Sequence, residues 1–138
     1  MLDLVLVNRQ RRRRIPRGRL GRTLQGAARS LRCAGELALV FTGDHAMRTL
    51  NRRYRRKDRP TDVLSFPGPG GSQGLGDVVI SVPAAERNAR RFARGLDEEL
   101  QVLALHGFLH VLGYDHETDD GAMERLELRL RRRLLGFA

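Results

Sequence analysis

Three of the chain's four histidines fall between residues 106 and 116, in the run HGFLHVLGYDH. His106 and His110 are four apart, a spacing that on a helix puts their Cβ atoms ~5–6 Å apart on one face. Both imidazoles can then reach one ion at ~2.0–2.1 Å. A third ligand has to come from chain that turns back. Gly113 suits a left-handed residue ending the helix, after which Tyr114 and Asp115 carry His116 toward the same ion. Three protein ligands leave a fourth position open, which is the pattern of catalytic rather than structural zinc. The spacing matches HxxxHxxGxxH of the metzincin proteases, but Gly107 stands where that motif has its glutamate. Without that general base the chemistry of peptide cleavage loses its proton carrier, so the expectation is a one-zinc hydrolase acting on another substrate.

The charge distribution says which substrate. Residues 1–60 hold 17 basic residues against the four acids Asp3, Glu36, Asp44 and Asp58, a balance of +13, while the remainder carries 9 against 12 and nets −3. A GC-rich genome explains why 25 of the 26 basic residues are arginine, but not why they cluster. Clustered cations attract polyanions by releasing condensed counterions, so RNA or DNA is the expected partner, with a merely solvated basic face as the alternative.

The metal ligands need a central helix to carry them. Leu100 to Leu112 is apolar on nearly every side, which predicts a buried helix, and Asp97, Glu98 and Glu99 place negative charge at its N-terminus, where the helix dipole favours it. Around it the periodicities predict a strand over residues 2–7, an exposed arginine connection at 11–14 and a helix over 19–32. A strand over 36–42 follows, and then a short helix capped by Asp44 and carrying Met47 and Leu50. The polar segment 51–60 reads as a surface loop or helix end. Strands over 61–66 and 75–82 are joined by PGPGGSQG, a helix from Pro83 runs to Gly95, and a last helix capped by Thr118 carries Met123, Leu126, Leu130 and Leu134 and stops at Gly136. The order βαβαββααα predicts an α+β fold, a small mixed sheet packed with helices, in one domain over residues 1–138.

Cys33 is the lone cysteine and no secretory leader opens the chain, so a cytoplasmic protein is expected. No apolar run approaches the ~20 residues that span a bilayer, and no membrane partner is expected.

HGFLHVLGYDH resembles the signature of the YbeY family, the zinc-dependent endoribonucleases that act as rRNA maturation factors in bacteria. RRYRRKDRPTDVLSFP at 52–67 is similar to that family's second motif and LGDVVIS at 75–81 to its third, in matching order across nearly the whole chain. The resemblance implies a zincin-like domain with one zinc ion on His106, His110 and His116. It also implies single-strand-specific cleavage of RNA in the three-prime end maturation of small-subunit rRNA and in ribosome quality control, with rRNA and ribosomal particles as partners. The alternative is a ribosome-associated RNA-binding factor whose zinc is largely structural. Arg55, in the second motif, is implied as the basic catalytic residue, and its planar fork of donors suits a phosphate. Two acids are candidates for orienting a ligand: Asp77, which is otherwise a structural acceptor in its strand, and Asp115, which is otherwise a turn former. The nucleophile, a zinc-bound water or the RNA 2′-hydroxyl, stays open. The connection 67–74 is short and rich in Gly and Pro, a departure from the family's pattern.

Overall fold

The computed structural model of the protein describes residues 1–57, 59, 61–70, 74–115 and 119–136. His116 and the expected cap Thr118 lie outside the described residues. The described elements follow the predicted order: β1 (Leu2–Asn8), α1 (Arg17–Leu31), β2 (Gly35–Thr42), α2 (Asp44–Arg55), β3 (Val63–Pro67), β4 (Gly76–Ser81), α3 (Val82–Arg91), α4 (Leu96–Val111) and α5 (Ala122–Leu135). The sheet order is β1-β2-β4-β3. β1, β2 and β4 run parallel, and β3 pairs antiparallel with β4, matching Val63 to Ile80 and Ser65 to Val78. This mixed sheet with its helices is an α+β fold.

Alternation along the strands divides the sheet into two faces. Leu37, Leu39, Phe41, Val78 and Ile80 join the main core with Leu20 and Leu24 of α1 and Leu100, Leu105, Phe108 and Leu109 of α4. Leu64 and Val79 point the other way and pack with Met47 of α2 in a smaller core. The stripe expected on α5 faces the main core through Met123 and Leu130. Each such side chain, fully removed from water, contributes about 1.5–3 kcal/mol. α4 is buried on nearly all sides because it sits between the sheet and α1, α3 and α5. Its buried polar side chains are matched: Gln101 Oε1 accepts from Thr23 Oγ1 at 2.8 Å, and Glu99 accepts from Arg94 Nη1 at 2.7 Å. The Glu98 carboxylate accepts from Gly95 N at 3.0 Å and so satisfies a donor at the helix start.

Several boundaries differ from expectation, each for a local reason. Asp44 does not cap α2, whose N-cap is Gly43. Its carboxylate accepts from Ser81 Oγ at 2.8 Å and from both Arg87 Nη atoms at 2.8 and 3.1 Å, clamping α2 to α3. The hydrogen bond from Arg87 holds the Asp44 carboxyl below its ordinary range. α2 extends to Arg55 and turns off at Arg56, which takes the left-handed conformation (φ 56°) usual for glycine. α3 ends at Arg91 instead of reaching Gly95, because the chain turns off at Ala93, which takes a positive φ of 54°. The 11–14 connection is exposed as expected, yet it is anchored. Arg12 Nε donates to the buried Glu86 at 2.7 Å and Arg13 Nη2 donates to it at 3.3 Å, and the Arg12 hydrogen bond holds that carboxyl below its usual value.

Candidate active site

α4 presents His106 and His110 on its one face left open to solvent. Their Nε2 atoms are 3.1 Å apart, with the rings edge to face. On the far side of His106, Nδ1 meets the carboxylate of Glu127 from α5, and Arg131 Nη2 donates to the same carboxylate one turn on. A carboxylate only accepts, so Nδ1 carries a hydrogen, and in the neutral ring the lone pair is then on Nε2, turned toward His110. Burial pushes the Glu127 carboxyl up, but the His106 hydrogen bond and the neighbouring charges outweigh it and the net shift is downward.

This donor set fits a metal ion. Two nitrogens bound to one tetrahedral zinc at ~2.0–2.1 Å stand ~3.3–3.4 Å apart, close to the separation found here. An imidazole fixed by a carboxylate at its other nitrogen is also the usual arrangement of a metal-binding histidine. Among the described residues no group of three His, Cys, Asp or Glu side chains is placed to hold an ion. The third ligand expected from sequence is His116.

The histidine pair borders a cavity of about 530 Å³ whose lining is also basic, with Arg55, Lys57 and Arg59 contributed by the end of α2 and the segment after it. The buried Asn51 holds that segment in place by donating from Nδ2 to Arg59 O at 2.9 Å. Arg55, exposed in the last turn of α2, and Asp115, beyond Gly113 (φ 101°), both line this cavity with the two imidazoles. Gly113 takes the left-handed conformation its position predicts.

Asp77 is not there. Val78 packs toward α4, so Asp77, one residue earlier in β4, points to the opposite face of the sheet, where it is exposed and lines a separate groove with Tyr54 and Phe66. The structure does not bring Asp77 together with the histidines, and the carboxylate that meets His106 is Glu127. Sequence reading missed Glu127, although a signal existed: an acid four residues after Met123 and three before Leu130 interrupts the buried stripe of α5, and a buried acid needs a partner.

Gly107 has a packing reason independent of chemistry. A Cβ at this position would lie 2.5 Å from Val78 Cγ1, 3.1 Å from Val63 Cγ2 and 3.2 Å from Ser65 Oγ. Its carbonyl accepts from Ser65 Oγ at 2.9 Å, so α4 lies flush against β3 and β4. The position that carries glutamate in metzincins thus faces a sheet here, with no room for a side chain. Gly107→Ala is expected to destabilise the protein by about 1–3 kcal/mol through overpacking. Urea denaturation checks this, and an unchanged midpoint would contradict the close packing.

The family described as Endoribonuclease YbeY matches residues 6–134. A relative of that name from Moorella thermoacetica is 47% identical over 119 residues, covering 76% of each chain. Another from Solibacter usitatus is 50% identical over 95 residues, covering 69% of this chain and 63%, just under two thirds, of the relative. In three dimensions the protein resembles a Thermotoga maritima protein solved in solution, with a TM-score of 0.68 and 24% identity over 96% of this chain and 89% of that one, which shows a shared fold. The match over nearly the whole length, with relatives near half identity, makes this chain a member of the endoribonuclease YbeY family.

Proposed function

We propose that the protein is a zinc-dependent, single-strand-specific endoribonuclease of small-subunit rRNA three-prime end maturation and ribosome quality control. In this reading it works in the cytoplasm on rRNA and ribosomal particles, as one zincin-like domain with α4 as its metal-binding helix. The observation that carries the reading is one cavity lined both by an imidazole pair, of which His106 is fixed by the Glu127 carboxylate, and by Arg55, Lys57 and Arg59. His106, His110 and His116 would hold the ion. When bound, zinc supplies Lewis acidity toward a phosphate oxygen and acidifies its water, which would serve phosphodiester cleavage without the missing glutamate.

The protein's own groups divide the remaining work. Arg55 offers a planar fork that can grip two phosphate oxygens and offset the charge that grows on them as the bond breaks. Lys57 and Arg59 extend the positive wall along the path of the backbone, which favours a nucleic acid chain without reading its sequence. Glu127 keeps the Nδ1 hydrogen of His106 in place, and Asp115 stands at the rim as a candidate for orienting a ligand. No helix among the described residues is long and apolar enough to cross a membrane.

Zinc content and cleavage of single-stranded RNA, measured side by side for wild type and His116→Ala, test the proposal. Wild type is expected to bind one ion and to cleave, and the variant to lose both. Zinc and RNA bound by wild type with no turnover would instead make the chain a ribosome-associated binding factor with a largely structural metal.

A further inference from the structure

A second cavity, of about 300 Å³, adjoins the first and shares Asp62, Val63 and His106 with it. Its other walls come from α3, α4 and α5, and they carry a connected set of polar groups. Arg94 donates to Glu99 at 2.7 Å, and Asn88 Nδ2 donates both to Glu99 Oε2 at 3.3 Å and to Asp62 Oδ2 at 3.0 Å. With carboxylates on both sides, the amide orientation of Asn88 is dictated by chemistry. Both N–H donors are used on acids, and the remaining polar atom is the acceptor Oδ1. What Asn88 and Asp62 can still present to a ligand therefore accepts hydrogen bonds.

The same cavity is bordered by Phe92, an aromatic side chain half exposed (50%) at the end of α3. The guanidinium groups of Arg91 and Arg94 each lie 5.3 Å from its ring centroid. A half-exposed aromatic ring with guanidinium groups packed over it is a combination on which single-stranded bases stack, the exposed Arg91 being placed to meet the backbone. The volume is at the low end for a ligand pocket and suits a single base rather than a helix.

We propose that this cavity is a nucleobase subsite for the nucleotide flanking the phosphate held beside the histidines, with the base stacked on Phe92 and its edge turned to Asn88 and Asp62. The assignment rests on the ribonuclease reading above and adds a specificity to it. Two acceptors match bases that carry an exocyclic amino group, as adenine, cytosine and guanine do, whereas uracil turns carbonyl oxygens to either side of its one N–H and would be repelled. The subsite thus favours amino-bearing bases over uracil.

Fluorescence anisotropy of the metal-free full-length protein with short adenine, cytosine and uracil oligoribonucleotides tests this without cleavage. Adenine and cytosine strands are expected to bind about tenfold more tightly than uracil strands. Phe92→Ala should weaken binding of all three by about tenfold, and Phe92→Trp should restore it. Since Phe92 is exposed, the fold is expected to survive, and circular dichroism of the variant checks that. Asn88→Ala should narrow the gap between cytosine and uracil strands. Wild-type affinity in a folded Phe92→Ala, or uracil bound as tightly as cytosine by the wild type, would overturn the subsite while leaving the ribonuclease reading intact. Failure of the wild type to bind or cleave any RNA would remove both.

Discussion

Glu127→Ala is expected to weaken zinc binding by about 10- to 100-fold and to lower stability as well. The first effect follows from the tautomer. Without the carboxylate on Nδ1, the His106 hydrogen is free to move to Nε2, which blocks the nitrogen that faces His110, and the ring is no longer held in one orientation; losses of about that size are usual when such a partner is removed. The second follows from Arg131, whose side chain is 16% exposed and would keep its charge with its partner gone. Breaking a buried pair from one side costs about 3–5 kcal/mol, and the residual solvent contact of Arg131 puts this case near the lower end. Glu127→Gln separates the two effects, because its amide oxygen can still accept from His106. Zinc affinity should recover in large part while stability stays reduced. Competition with a chromophoric chelator reads the affinity and thermal unfolding the stability. Equal zinc affinity in wild type and Glu127→Ala would contradict the positioning role.

Arg55→Glu is expected to lower the cleavage rate by about 10²–10³-fold, the usual cost of removing a principal donor to developing charge, with the reversed sign adding repulsion to the phosphate. Zinc content and melting temperature should stay at wild-type values, since Arg55 is exposed at the end of α2, while the imidazoles belong to α4. Arg55→Lys should recover only part of the rate, because an ammonium keeps the charge but loses the bidentate fork. Single-turnover cleavage at saturating protein isolates this effect from weaker RNA binding. A full rate in Arg55→Glu would transfer the role to Lys57 or Arg59.

Local periodicity carried most of the fold. The apolar-all-round character of residues 100–112 predicted a central helix because only a helix packed on several sides can bury such a surface, and α4 is that helix. The pairing of His106 with His110 was equally readable, since a spacing of four on a helix has one geometric consequence. What escaped depended on contacts distant in sequence or on a choice of side. Asp77 looked like a candidate because it is an acid in an apolar strand, but strand alternation says only that it opposes Val78, not which of the two faces α4. Glu127 meets His106 across 21 residues, a pairing no local pattern encodes. The length of α2 was hidden because its stop is an arginine in a left-handed conformation rather than a glycine. Asp44 resembled a cap, but Ser81 and Arg87 compete for the same carboxylate and win it. Gly107 was read as a missing catalytic group, and the helix–sheet distance gives it a further reason.

The central claim, that this chain cleaves RNA by means of a metal held on α4, is tested most directly by one assay. Protein purified without chelators or a metal-binding tag is incubated with single-stranded RNA as isolated, after chelation and dialysis, and after zinc is restored. Cleavage that disappears with the metal and returns with it is the predicted result. Full cleavage by the metal-free protein would contradict the account.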